Sequence, residues 1–322
     1  MNLPLRPLTL ALAGTLLAAP LAVTGMAQAA EPEQVRFSVP SWPGVTVKTS
    51  LAATLLETLG YEVAQEELGA TITYEALTQE EVDVFLAAWL PAQQAMFDST
   101  MEKGTLVDLG NNVEGARLGF AVPTYLYEAG LTSAEDLDKP EFADKLDRTI
   151  YSIEVGTGMS DTLNGAVDND TYGLGDWDIS ETSTPGMLSA VDNALNREEW
   201  IVFAGWTPHW MNIEYDVKYL TDTQDMWGPE GGRSDVRTLV STAFSESNPN
   251  ATRLFDQLSF TADDQSAMIR GFSYEEREPE EVAVDWMRDN PAKVKAFLDG
   301  VTTRDGEPAW PVVQQALEIP DA

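Results

Sequence analysis

Cysteine is absent from the chain and histidine occurs once, at His209. The first absence excludes disulfides, thiol chemistry, cysteine-held zinc and a lipid-anchoring cysteine beside an export cleavage site. The second forces any Ser-His or similar nucleophile–base pair through a single residue. No nucleophile elbow accompanies it, since residues 156–161 read GTGMSD and not G-x-S-x-G. Basic residues are scarce too: 19 Lys and Arg stand against 53 Asp and Glu, a formal net charge of −34. A surface of that sign repels nucleic acid and anionic membranes. Two readings of the acid excess stay open, steering of a cationic ligand and a solvated surface adapted to high external salt. The spread of acids along the whole chain favours the second, because a screening length of ~3 Å at molar salt abolishes long-range steering. Residues 228–235, GPEGGRSD, lack the lysine and spacing of a phosphate loop, and no cofactor or metal motif stands out.

Long apolar runs are confined to the N-terminus. Arg6, the apolar stretch 8–23 and the small residues Ala27 and Ala29 around Gln28 fit a cleaved export signal over residues 1–29. A retained membrane helix is the alternative, but the run breaks at Gly25 and has no charged stop-transfer flank. A free periplasmic protein is the expectation.

Beyond residue 30, short apolar runs alternate with amphipathic helices, the pattern of an α/β protein. Strands are expected at 35–39 (VRFSV), 82–89 (VDVFLAAW), 118–123, 148–155 and 200–206 (WIVFAGW), with two more in VKYL and VRTLVSTAF. A helix over 45–59 places Leu51, Leu55, Leu56 and Leu59 on one face before Gly60. Others begin at Pro91 and at Thr184-Pro185, and three close the chain from about Pro249, Ala262 and Glu278. At 43% hydrophobic residues there is material for two cores. The absence of any flexible linker points to two lobes joined by short hinge strands, near 116–119 and 215–219. The lobes are expected over 30–117 with 218–300 and over 118–217, leaving 301–322 as a tail.

Aromatic residues carry the functional signal. Trp42 (FSVPSWPGV), Trp89 (FLAAWLP) and Trp206 (FAGWTPHW) each lie just past the end of an apolar strand, with a proline at once or one residue later. In open α/β sheets that edge is where ligands bind. Any one of them alone reads as well as a core residue or hinge plug; three in equivalent places read as the walls of a pocket. Indole faces attract bulky, weakly hydrated cations such as quaternary ammonium groups. A sugar would need Asp, Asn and Arg partners that these segments do not offer.

On SWPGVTVKTSLAATLLETLGY, EEVDVFLAAWLP, NNVEGARLGFAVPTYLYEAGL, YSIEVGTG and IVFAGWTPHWMNIEYDVKYL, the chain from Val35 to about Thr303 resembles the substrate-binding proteins of ABC importers for glycine betaine, choline and related quaternary amines. The resemblance implies a two-lobed periplasmic binding fold (type II-like) that closes on ligand, a membrane permease as partner, no catalysis, and a cage made of Trp42, Trp89 and Trp206. Choline-binding members carry an Asp and a Tyr where this chain has Gly44 and Leu118, so choline loses a hydroxyl partner and a wall. Betaine-binding relatives hold the carboxylate on backbone amides, a part that Gly44 and Val45 at a helix N-terminus are suited to play. Thr157 is expected to add a hydroxyl from across the cleft. His209 either donates to the carboxylate or braces the TPHW turn. The expectation is a monomeric glycine betaine carrier serving osmoprotection. Dimethylsulfoniopropionate and choline are its rivals, and an exported hydrolase using His209 is the alternative from another class.

Overall fold

Leu51, Leu55 and Leu56 do share a buried face of the helix α1 (Pro43–Thr58), with Leu59 buried as its C-cap; the helix begins two residues earlier than its apolar period alone indicates because Pro43 takes the first helical position. The computed structural model describes residues 34–321; the export signal expected over 1–29 lies outside them. In chain order the strands are β1 (Gln34–Ser38), β2 (Glu62–Glu66), β3 (Val84–Leu90), β4 (Leu106–Asn111), β5 (Val113–Glu114), β6 (Arg117–Pro123), β7 (Thr149–Ser152), β8 (Asp178–Glu181), β9 (Val202–Thr207), β10 (Val217–Tyr219), β11 (Asp235–Ser241) and β12 (Phe260–Thr261).

Ten of these form two five-stranded sheets, each the centre of one α/β lobe. The first has the order β2-β1-β3-β11-β4 and the second β10-β6-β9-β7-β8. In the first, β1 runs parallel to β2 and β3, while β11 is antiparallel to β3 and β4. In the second, β7 is parallel to β8 and β9, and β6 is antiparallel to β9 and β10. Their central strands are buried on both faces, which is why 84–88 and 202–206 are continuous apolar or glycine runs and not alternating ones. The C-terminal segment returns to the first lobe, where the Arg304 N–H donates to the Leu59 carbonyl.

The chain crosses between the sheets twice, and the crossings lie side by side. Arg117 bridges Arg233 and the Ser234 N–H donates to the Ala116 carbonyl at 2.9 Å. The outward crossing leads from β4 of the first sheet to β6 of the second. Residues 217–219, expected at the return hinge, are a strand of the second sheet, and the loop after them stays there. The Asp222 carboxylate accepts the Tyr172 hydroxyl and the Trp227 N–H, and the Trp227 ring packs edge-on to Phe120 at 5.1 Å. Gly232 (φ +91°) then lies so close to β6 that a Cβ there would collide with the Leu118 carbonyl oxygen.

Two helix starts also differ from expectation. Residues 91–93 form a turn, pinned by Gln93 Oε1 accepting from Trp89 N and the Tyr74 hydroxyl, so the helix after β3 begins at Gln94. Ser183, not Thr184, caps the next, accepting from Gly186 N, while Thr184 is spent on the Glu154 carboxylate.

Candidate functional site

Each sheet delivers an indole to the space between the lobes in the same way. In the first, Trp89 near the end of β3 stands opposite Val236 of β11; in the second, Trp206 near the end of β9 stands opposite Leu118 of β6. Directly opposed residues on antiparallel strands project to the same face, and all four side chains line one cleft. The peptide bonds entering Pro91 and Pro208, just beyond these indoles, are both cis. Trp42 reaches the cleft from the turn between β1 and α1. The cleft offers about 60 Å³ to the centre of a water-sized sphere, several times the ~10–15 Å³ that one water needs. That is room for a small molecule.

The N-terminus of α1 forms one end of the wall. Trp42 is the N-cap and supplies no side-chain acceptor. Pro43 has no N–H, and the Thr46 N–H reaches the Trp42 carbonyl at 3.3 Å. The N–H groups of Gly44 and Val45 therefore remain as the helix's orphan donors, with no acceptor among the described residues, and both residues line the cleft. Gln265 crosses from the helix Ala262–Ile269 and donates from Nε2 to the Gly44 carbonyl at 2.7 Å. A Cβ at Gly44 would lie 3.1 Å from that amide and 3.3 Å from Ile269, so any larger residue there would have to push these side chains aside.

Thr157 lines the opposite wall, but its hydroxyl is not a free donor. It gives its proton to the Glu154 carbonyl (3.0 Å) and accepts the Ser160 N–H (3.1 Å) as N-cap of the helix Gly158–Asp168. The expected hydroxyl from across the cleft is thus consumed by the turn that carries it. His209 lies behind the wall, fully buried and absent from the lining. Its Nδ1 accepts the Met211 N–H at 3.1 Å, and its ring packs between Trp206 (4.7 Å) and Trp210 (5.2 Å). Burial pushes its pKa down to about 3, so the ring is neutral at physiological pH and its geometry is that of a brace. The structure therefore brings Trp42, Trp89, Trp206, Gly44, Val45 and Thr157 together and leaves His209 outside.

Sequence reasoning missed Lys48, Gln93 and Gln265, all of which line the cleft. Lys48 carried a readable signal: four residues after Gly44 on one helix, it shares that residue's face. Although the chain has 53 acids, no Asp or Glu among the described residues lines the cleft. The lobes also touch around its rim. A Cβ on Gly158 would fall 2.5 Å from the Ala92 carbonyl oxygen, Trp210 Nε1 donates to Ser273 Oγ at 3.2 Å, and Arg270 pairs with Glu214 at 2.5 Å. The lobes are closed on each other.

Residues 33–289 match the sequence model of a family described as the substrate binding domain of ABC-type glycine betaine transport systems. Among solved structures, the chain is similar to an ABC-transporter choline binding protein in complex with choline, with 32% identity, a TM-score of 0.84, and coverage of 88% of this chain and 98% of that one. It is also similar to lactococcal OpuAC in its closed-liganded conformation with glycine betaine, at 26% identity and a TM-score of 0.74 over 82% of this chain and 99% of that one. The glycine betaine/carnitine transport binding protein GbuC of Listeria monocytogenes is 32% identical over 184 residues, 56% of this chain; the match spans 59% of the Listeria protein's length.

Proposed function

Because the chain belongs to the family of substrate-binding domains of ABC-type glycine betaine transport systems, and so is a non-catalytic, extracytoplasmic solute-binding component for quaternary amine osmolytes, we propose that its ligand is glycine betaine, captured for osmoprotection. The observation that carries this reading is the pairing of opposite affinities in one small cleft. Three indoles, Trp42, Trp89 and Trp206, suit a trimethylammonium group, and the unpartnered N–H groups of Gly44 and Val45 suit a carboxylate. Both halves are needed. Three desolvated cation–π contacts at about 2 kcal/mol each fall short of the about 8 kcal/mol of micromolar binding, and hydrogen bonds to a charged carboxylate at about 1.5–3 kcal/mol each make up the difference.

Dimethylsulfoniopropionate carries the same two charges and is the second reading. Choline has no carboxylate, so it leaves the α1 donors unpaired, and the cleft offers no acid to its hydroxyl. In this reading a membrane permease receives the closed, loaded monomer. The lobes comprise about 34–116 with 234–300, and 117–233. The export signal delivers the protein to a periplasm, where the acidic surface suits high salt.

Replacing Trp206 by Ala is expected to weaken betaine binding about thirtyfold or more, with the far-UV dichroism and cooperative melting of the native fold retained. Undiminished affinity in calorimetry would remove this indole from the site.

A further inference from the structure

Among the described residues Lys48 is the one charged side chain that lines the cleft, and it is 1% exposed. Its Nζ donates to Asn112 Oδ1 at 2.6 Å. The Asn112 amide nitrogen is itself held by the Leu86 carbonyl (3.0 Å) and the Thr238 hydroxyl (2.8 Å), which turns the oxygen toward the lysine. An ammonium has three N–H donors, and only this one finds an acceptor among the described residues. None of the ion pairs among those residues includes Lys48, whereas Lys103, Lys139 and Lys293 each have a carboxylate within 4.0 Å. The groups around this contact are neutral: Asn112 between β4 and β5, the Leu86 carbonyl of β3 and the Thr238 hydroxyl of β11 that hold its amide, and Gln265 of the helix Ala262–Ile269, which lines the same cleft and is bonded to Gly44 on the same face of α1. A buried cation with a single neutral partner is costly. A ligand carboxylate on the Gly44 and Val45 amides would stand about one helical turn from it, because residues 44, 45 and 48 share a face.

We propose that Lys48 is a specificity-determining residue: its ammonium is the counter-charge for a ligand carboxylate, so the cleft selects zwitterions that join an onium group to a carboxylate and rejects bare onium cations. This rests on the reading of the cleft as a betaine site and deepens it. The scarcity of Lys and Arg in the chain makes this one burial pointed, because the protein spends a cation where no protein acid neutralises it. Burial pushes the Lys48 pKa down to about 7, with no charged neighbour contributing. An anionic group in the cleft favours the protonated form, and a cation disfavours it. Betaine binding therefore takes up a proton above neutrality and weakens as pH rises, whereas choline binding releases one and strengthens.

The test is calorimetric titration of the purified protein and of Lys48→Met and Lys48→Gln with glycine betaine and choline between pH 6 and pH 9. For the unsubstituted protein the betaine dissociation constant is expected to rise about tenfold between pH 7 and pH 8.5, with choline moving the opposite way. In either variant the betaine-to-choline preference is expected to fall about ten- to a hundredfold, and the pH dependence to vanish. A preference unmoved in folded variants, or flat profiles in the unsubstituted protein, would overturn the role of Lys48. The pH profile needs no variant, so it decides the matter even if the substitutions unfold. Failure of the unsubstituted protein to bind betaine at any pH would instead sink the betaine reading itself.

Discussion

The two walls of the cleft are built from similar parts and differ in what they can recognise. Each has an indole near the end of a strand, with an aliphatic partner directly opposite, Trp89 with Val236 and Trp206 with Leu118. The first wall adds the orphan amides of Gly44 and Val45, the Lys48 ammonium and the third indole, Trp42. The second adds Ile153, Met159 and Pro208, together with a Thr157 whose hydroxyl is occupied by its own turn. Groups suited to an anion stand on the first wall alone, whereas both walls present an indole. In the proposed reading the two lobes share the onium group, the first lobe alone holds the carboxylate, and the second completes the apolar cover.

Two further substitutions, with smaller losses than those expected from the Trp206 and Lys48 changes, probe how the two walls differ. Glu214→Gln removes the ion pair with Arg270 at the rim, which joins the second lobe to the first and lies outside the cleft lining. Both partners keep partial exposure, so the pair is worth little on its own. Betaine and choline affinities are expected to fall together, about two- to fivefold, as measured by fluorescence titration. A change in their ratio would mean that the rim also reads charge.

The smallest effect on affinity is expected from His209→Gln. Its ring lies behind the second wall, so betaine affinity should stay within about threefold. A loss comparable to that of Trp206→Ala would return His209 to the ligand. Its effect belongs to stability. The His209 pKa falls from its ordinary 6.5 to about 3 in the fold, so between those values the unfolded chain binds a proton that the native state excludes, and stability declines as pH drops from about 6.5 toward 3. Removing the imidazole should flatten that part of the acid-denaturation profile.

Much of this site is legible in the sequence, for a physical reason. A strand buried on both faces is a continuous apolar run, and a proline marks its end, so the positions of Trp89 and Trp206 at strand ends follow from local pattern. The Pro43 start of α1 likewise announces free amides at Gly44 and Val45. The illegible parts depend on distant partners. Lys48 reads as one more polar residue on a helix until Asn112, 64 residues away, supplies its acceptor. The return crossing reads too early because nothing local shows that Asp222 bonds Tyr172, 50 residues back, and so holds the loop after β10 on the second sheet. His209 reads locally as either a ligand donor or a brace, and its packing between Trp206 and Trp210 and the Met211 N–H bond to its Nδ1 depend on the folded turn.

The central claim is that one cleft recognises an onium group and a carboxylate at once, and its most direct test is heat and tryptophan-fluorescence titration with glycine betaine, dimethylsulfoniopropionate and choline, in low and high salt. Both zwitterions are expected to bind saturably at either salt concentration, because a closed and desolvated site is screened little, with choline at least tenfold weaker. Choline binding as tightly as betaine would contradict it.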